Sequence, residues 1–368
     1  MIRSTFFTLL AGAILLADPG APAQNAPAVS YDDLARFVSG KTVSAASPLK
    51  ELVDVPSVRK HYVETQQLSR QWQEARLSKI RDWARAEIQP RTGRPATVKY
   101  MFGGPDFVHV ATVFPGAPEY ILAGLEPLGT APDFFSMDEA ELDSYLSHLN
   151  YTLRSISRRN FFITQEMRED FGKQGIDGVF PVLLYFAALT GHEVLDANYV
   201  SLTDSGEVVQ TNAADGDGIW LRLRGGNPSA GDPPAQNLYY FKTDLSDGTF
   251  KSGSPFHRFL GARPGGVAYL KAASYLMHTD NFSNIRNFLV GDCQFILQDA
   301  SGLPADFFAL YYEPTYYGNY VGPIDMFSEY DQPELRAIYR SGVAKPLPFG
   351  TGYRMRDEDS IQIFGVRK

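Results

Sequence analysis

Between Thr97 and Pro127 the chain is confined to one small architecture. Thr97 to Phe102 is a short run with β character, and Gly103-Gly104-Pro105-Asp106 is a turn. Phe107 to Phe114 makes two helical turns before Pro115, and Tyr120 to Leu125 is a second β-like run closed by Glu126-Pro127. Strand, glycine turn, short helix and strand is the order of a βαβ unit. Parallel strands in such a unit put both carboxyl ends on one edge of the sheet. Asp106 and Glu126 are therefore expected together there, with His109 one helical turn further on and facing the same crevice.

The remainder extends the alternation. From Val58 to Ile88 the apolar positions Leu68, Trp72, Leu77, Ile80, Trp83 and Ile88 recur at three- to five-residue steps, which predicts a long amphipathic helix ended by Pro90. On it, His61 and Glu64 read as a solvated pair. Helices are expected at Asp138 to Arg159, Ile176 to Leu189, Val267 to His278, Phe282 to Leu289 and Gln332 to Arg340. Strands are expected at Tyr199 to Leu202, Ile219 to Leu223, Leu238 to Phe241, Gln294 to Gln298 and Ile361 to Val366. Asp215-Gly216-Asp217-Gly218 reads as a turn, and Gly225 to Gln236 as a long exposed loop. The expected class is α/β, or α+β as its alternative: a mixed sheet flanked by helices. The switch to strands near residue 195 divides the chain into residues 24–194, rich in helix, and 195–368, rich in strand, as one domain or two closely packed lobes.

Composition narrows the function classes. The chain has 368 residues, 44% hydrophobic and 21% charged, which excludes an intrinsically disordered chain, a collagen-like repeat and a charged coiled coil. A net charge of −8 offers nothing to a polyphosphate backbone, so nucleic acid is not an expected partner. Residues 1–23 read as a signal peptide. Arg3 supplies the positive start, Ser4 to Ala17 an apolar run too short to span a bilayer core of about 30 Å, and Ala21-Pro22-Ala23 the small-x-small cleavage pattern. The expected product begins at Gln24, is periplasmic or extracellular, and has no membrane span. Cys293 is the only cysteine, so no internal disulfide forms and packing alone must hold the fold.

No nucleophile elbow, zinc helix, phosphate loop or dinucleotide fingerprint occurs, and no motif specifies a cofactor. Three constellations remain. Asp106 and Glu126 could act as an acid and base pair, and with His109 could hold a divalent metal; the structural alternative makes Asp106 a helix cap and Glu126 a strand end. Ser274 and His278, four apart on an expected helix, could form a nucleophile and base oriented by Asp299, with Arg286 and Ser301 nearby; the alternative is an ordinary helical serine bonded to its own backbone. Nine of the 24 residues from Phe307 to Tyr330 are aromatic. Among them Tyr317 and Tyr320 could line a groove for a glycan or an apolar small molecule, and sheet propensity explains the same enrichment.

Several segments carry a resemblance: Phe102-Gly103-Gly104-Pro105-Asp106, Gly124-Leu125-Glu126-Pro127, Leu238-Tyr239-Tyr240-Phe241, Lys271 to His278, Gln298 to Pro304 and Tyr317-Gly318-Asn319-Tyr320. They resemble those of a group of uncharacterised exported bacterial proteins, over most of the chain after residue 23. The resemblance implies an exported single unit and transfers no catalytic role. At Ala300 the chain departs from the group's second acidic residue, which weakens a paired-carboxylate reading of Asp299. The expected function is a hydrolase-like enzyme acting on an envelope or environmental substrate at the sheet's carboxyl edge. The alternatives are a non-catalytic binding protein using the tyrosine-rich segment, and an envelope interaction protein.

Overall fold

The computed structural model describes residues 29–159, 176–225, 234–354 and 356–368. The expected signal peptide and most of the loop from 225 to 236 lie outside the described residues. The strands are β1 Thr97–Tyr100, β2 Glu119–Gly124, β3 His192–Leu202, β4 Val208–Thr211, β5 Gly218–Gly225, β6 Gln236–Lys242, β7 Val267–Leu270, β8 Phe295–Gln298, β9 Tyr312–Gly318 and β10 Ile361–Arg367. They form one mixed sheet in the order β4-β3-β5-β6-β2-β1-β7-β8-β10-β9. The centre, β6-β2-β1-β7-β8, is parallel throughout, and antiparallel strands extend it on both sides. β3 runs through residue 195, and the sheet takes strands from both sides of that position.

Chain order within the parallel centre carries the functional consequence. The path goes from β1 outward to β2 and β6, then returns to the other side of β1 for β7 and β8. The strand order therefore reverses between β1 and β7. In open α/β sheets the crevice outside the carboxyl ends at such a reversal is where ligands bind.

Helices cover both faces: α1 Tyr31–Val38, α2 Pro56–Trp72, α3 Ser78–Trp83, α4 Gln89–Thr92, α5 Phe107–Val113, α6 Glu139–Arg159, α7 Phe180–Leu189, α8 Pro255–Gly261, α9 Ser283–Asp292, α10 Ala305–Tyr311 and α11 Pro333–Arg340. Alternation along the strands sends Val98, Tyr120, Leu122, Val267, Tyr269 and Leu297 into the core under α1 to α7. Ile121, Ala123, Ala268, Leu270 and Ile296 enter the second core, under α8 to α11. α6 opens on Asp138, whose carboxylate accepts from Ala140 N and Glu141 N while Glu141 accepts from Asp138 N, a reciprocal cap readable in the sequence. α7 is buried along all ten residues, as its uninterrupted apolar composition requires.

Two expectations need correction. Val267 to His278 is not one helix: Val267-Ala268-Tyr269-Leu270 is the buried strand β7, and Ala273–His278 is a 3-10 helix. A strand buried on both faces of a parallel sheet is a continuous apolar run, and so short a run has no period to distinguish it from a helix. His61 is not solvated. It lies in the core, its Nε2 3.2 Å from the Val38 carbonyl, and burial pushes its pKa down to about 4.

The long helix does form, running from residue 56 to 92, but with two π turns in it, Gln73–Leu77 and Ala84–Ile88. Each coincides with a five-residue step between large buried side chains, Trp72 to Leu77 and Trp83 to Ile88. Five residues of α-helix would turn the second side chain about 140° away from the first. One wider turn returns it to the core.

On the central strand β1 Lys99 is fully buried, and its ammonium donates to Arg263 O, Gly265 O and the Asp292 carboxylate at 2.6–2.8 Å. Those three bonds offset the cost of burying the charge. They also fix the chain as it enters β7, where Gly266 has φ +80° and no room for a side chain, since a Cβ there would lie 2.2 Å from Thr97 O. Gly266→Ala is expected to cost about 2–4 kcal/mol, from overpacking against backbone and from the left-handed conformation. Urea denaturation against the parent measures it.

Candidate functional site

β1 and β7 are neighbours, and their carboxyl ends carry the charged groups. Asp106 ends the turn after β1 without capping α5 through its side chain. Its carboxylate instead lies in the interior: Oδ2 accepts from Lys271 Nζ at 2.7 Å and Tyr100 OH at 2.8 Å, and Oδ1 lies 2.6 Å from His109 Nδ1. Lys271 is the first residue after β7. Continued alternation along that strand turns it to the face on which α5 packs.

All three charged or titratable groups are at least 98% buried. Burial alone would push Asp106 up, but His109 and Lys271 outweigh it and hold the carboxyl at about 2. Burial pulls His109 down, with Lys271 and Arg76 adding to the effect against the Asp106 carboxylate, so the imidazole is neutral at pH 7. The 2.6 Å contact puts its proton on Nδ1, donated to Asp106, and leaves the Nε2 lone pair buried without a partner. The cation beside Asp106 is the Lys271 ammonium, paired with the carboxylate at 2.7 Å, and burial pulls its pKa down against that partner. Among the described residues, no three His, Cys, Asp or Glu side chains are grouped to hold a metal ion.

Asp299, at the end of β8, adjoins this cluster. It accepts from Ala272 N at 3.0 Å and from Ser301 N and Oγ at 2.8 and 2.6 Å. Burial raises its pKa against those bonds and against Lys271. Phe102 and Ala272, each the second residue past its strand, are the two non-glycine residues with positive φ among the described residues, at 63° and 61°. Such conformations cost of order 1–3 kcal/mol each and persist where surrounding structure enforces them.

The second feature is a cavity of about 110 Å³ directly outside the sheet. Its walls come from the ends of β1 (Phe102, Gly104), β2 (Leu125, Glu126), β6 (Asp244, Leu245) and β7 (Ala273, Leu276). Glu126 is 2% exposed, and Tyr240 OH lies 3.0 Å from its Oε2. Two glycines make space for that carboxylate. A Cβ on Gly124 would lie 2.3 Å from Glu126 Oε2 and 2.8 Å from Gly104 Cα, and one on Gly104 3.1 Å from Oε2. Asp244 lies across the cavity, its pKa lowered by bonds from Ser246 N and Oγ.

The remaining expected residues do not assemble into a nucleophile, base and acid. Ser274 is fully buried with no partner for its hydroxyl. On a 3-10 helix, residues three apart align rather than four, so Ser274 and His278 do not share a face. His278 Nε2 lies 2.7 Å from Gly302 O, and its ring packs on Tyr275 and Tyr330. Arg286 donates to Met277 O and Ser301 to Asp299. Tyr317 and Tyr320 are buried, with hydroxyls given to Glu87 and Asp331. Lys271 and Tyr100 were missed. The usable signal for Lys271 was its position at the end of an apolar run, hidden by reading that run as helix.

The ion pair sets an acid limit on stability. Asp106 has a folded pKa below its unfolded one, so its contribution is complete above about pH 4 and is lost as pH falls toward 2, on the order of 2 kcal/mol in all. Asp106→Asn is expected to flatten that part of a stability–pH curve measured by urea denaturation. Lys271→Met, which strands the carboxylate, is expected to cost about 3–5 kcal/mol at pH 7.

No family model, no curated protein and no solved structure matches the chain.

Proposed function

We propose that the protein is an exported hydrolase whose reaction takes place in the crevice outside β1, β2, β6 and β7, with Glu126 as the proton-transferring group. The observation that carries this reading is a near-buried carboxylate lining a cavity where the strand order reverses. As general base, Glu126 would take a proton from a water attacking a carbonyl or similar centre held in the cavity. Tyr240 OH fixes one of its oxygens, leaving the carboxylate a defined direction. Asp244, ionised at neutral pH, would add a fixed negative charge on the opposite wall. The Asp106–Lys271 pair would hold the two strand ends at constant spacing beneath the crevice.

The walls constrain the substrate. A cavity of about 110 Å³ accepts a group of only a few heavy atoms, and Phe102, Leu125, Leu245, Leu276 and Phe282 make most of its lining apolar. Leu125 and Leu276 are 46% and 41% exposed. A short acyl ester fits these limits. The same apolar rim favours, as a second reading, a binding protein that holds such a group without cleaving it.

Turnover of p-nitrophenyl acetate and butyrate by the chain lacking residues 1–23 separates the two readings. Hydrolysis that falls about 10²–10⁴-fold in kcat in Glu126→Gln, with melting temperature unchanged, is the expected result. Glutamine keeps an acceptor for Tyr240 OH, so the substitution tests proton transfer rather than folding. An unaltered kcat in the variant, or binding of the ester without turnover, overturns the hydrolase.

A further inference from the structure

A groove of about 380 Å³ lies between α2 and α6, apart from the crevice. Its charges do not cancel. Arg76, Arg154 and Arg158 line it against one carboxylate, Glu64, which lies 3.5 Å from Arg154 and also accepts from Asn150. Among the described residues no carboxylate is in ion-pair range of Arg76 or Arg158. Arg76 stands in the first π turn of the long helix, and its guanidinium donates to Ser157 O, a neutral acceptor at the end of α6. A half-buried guanidinium without a counter-ion is costly unless something anionic meets it. Trp72, 96% buried, lines the same groove, and its Nε1–H has no acceptor.

We infer that this groove binds the oxyanion of a small organic acid, carboxylate or phosphate, through Arg76 and Arg158. Guanidinium groups suit both oxyanions because their forked donors match two oxygens at once. Leu68 and Ala75 supply an apolar wall for the rest of the molecule. The volume is within the range of small-molecule sites. The Trp72 ring that bounds the groove also packs edge-on against His109, with centroids 6.1 Å apart, so an occupant would be one ring away from the buried cluster.

Calorimetric titration at low ionic strength, with inorganic phosphate in one arm and benzoate in the other, tests this on the chain lacking residues 1–23. Saturable binding of at least one anion is expected, weakened roughly tenfold or more in Arg158→Gln and lost in Arg76→Gln. Affinity should fall as salt is raised. Phosphate binding alone assigns a phosphoryl group, and benzoate binding alone a carboxylate. Arg158 is exposed, so its variant decides the matter even if Arg76→Gln fails to fold. Glu126→Gln should bind as the parent does, which separates this site from the crevice. No binding of either anion, or equal binding by parent and Arg158→Gln, overturns the inference.

Discussion

The ion pair between Lys271 and Asp106 ties together two strands that are neighbours in the sheet but 165 residues apart in the chain. Neither charge is tolerable in the interior without the other, and the bond closes only if β1 and β7 lie side by side with their ends level. The same carboxylate fixes Tyr100 and the proton of His109. One buried anion thus sets the position of three side chains from three elements. The positive φ at Phe102 lies in the turn that leads from β1 to Asp106, and that at Ala272 directly follows Lys271.

What this support carries is a cavity defined as much by missing side chains as by those present. Gly104 and Gly124 approach until any Cβ would strike the Glu126 carboxylate, so Glu126 occupies space that two side chains have given up. The division of labour is between a buried charged layer, closed to solvent, and a small, largely apolar crevice lined by the near-buried Glu126 and the exposed Asp244. Among the described residues, the groove between α2 and α6 reverses the second arrangement, with three arginines against one carboxylate.

The sequence revealed most where residue chemistry punctuates the chain. Gly103-Gly104-Pro105 and Glu126-Pro127 marked the ends of β1 and β2, and the parallel pairing followed from strand, turn, helix and strand. It revealed least where burial erases pattern. Val267 to Leu270 is apolar at every position because both its faces are covered, so neither period was visible and Lys271 went unnoticed beside it. The aromatic stretch is ambiguous for a related reason: whether a tyrosine faces a groove or a core depends on what covers it, and Tyr317 and Tyr320 are covered with their hydroxyls bonded inside. Nor does spacing reveal which acidic residue meets a lysine 165 positions later.

The two π turns of the long helix bear on how this chain can vary in length. A π turn is what one added residue leaves behind in an α-helix when the flanking turns keep their places. The helix accommodates two such additions and still directs Trp72, Leu77, Trp83 and Ile88 inward. A strand has no comparable slack, because one extra residue turns every following side chain to the opposite face. A single-residue change of length therefore costs less in the helical layer than in the sheet that presents Asp106, Glu126 and Lys271.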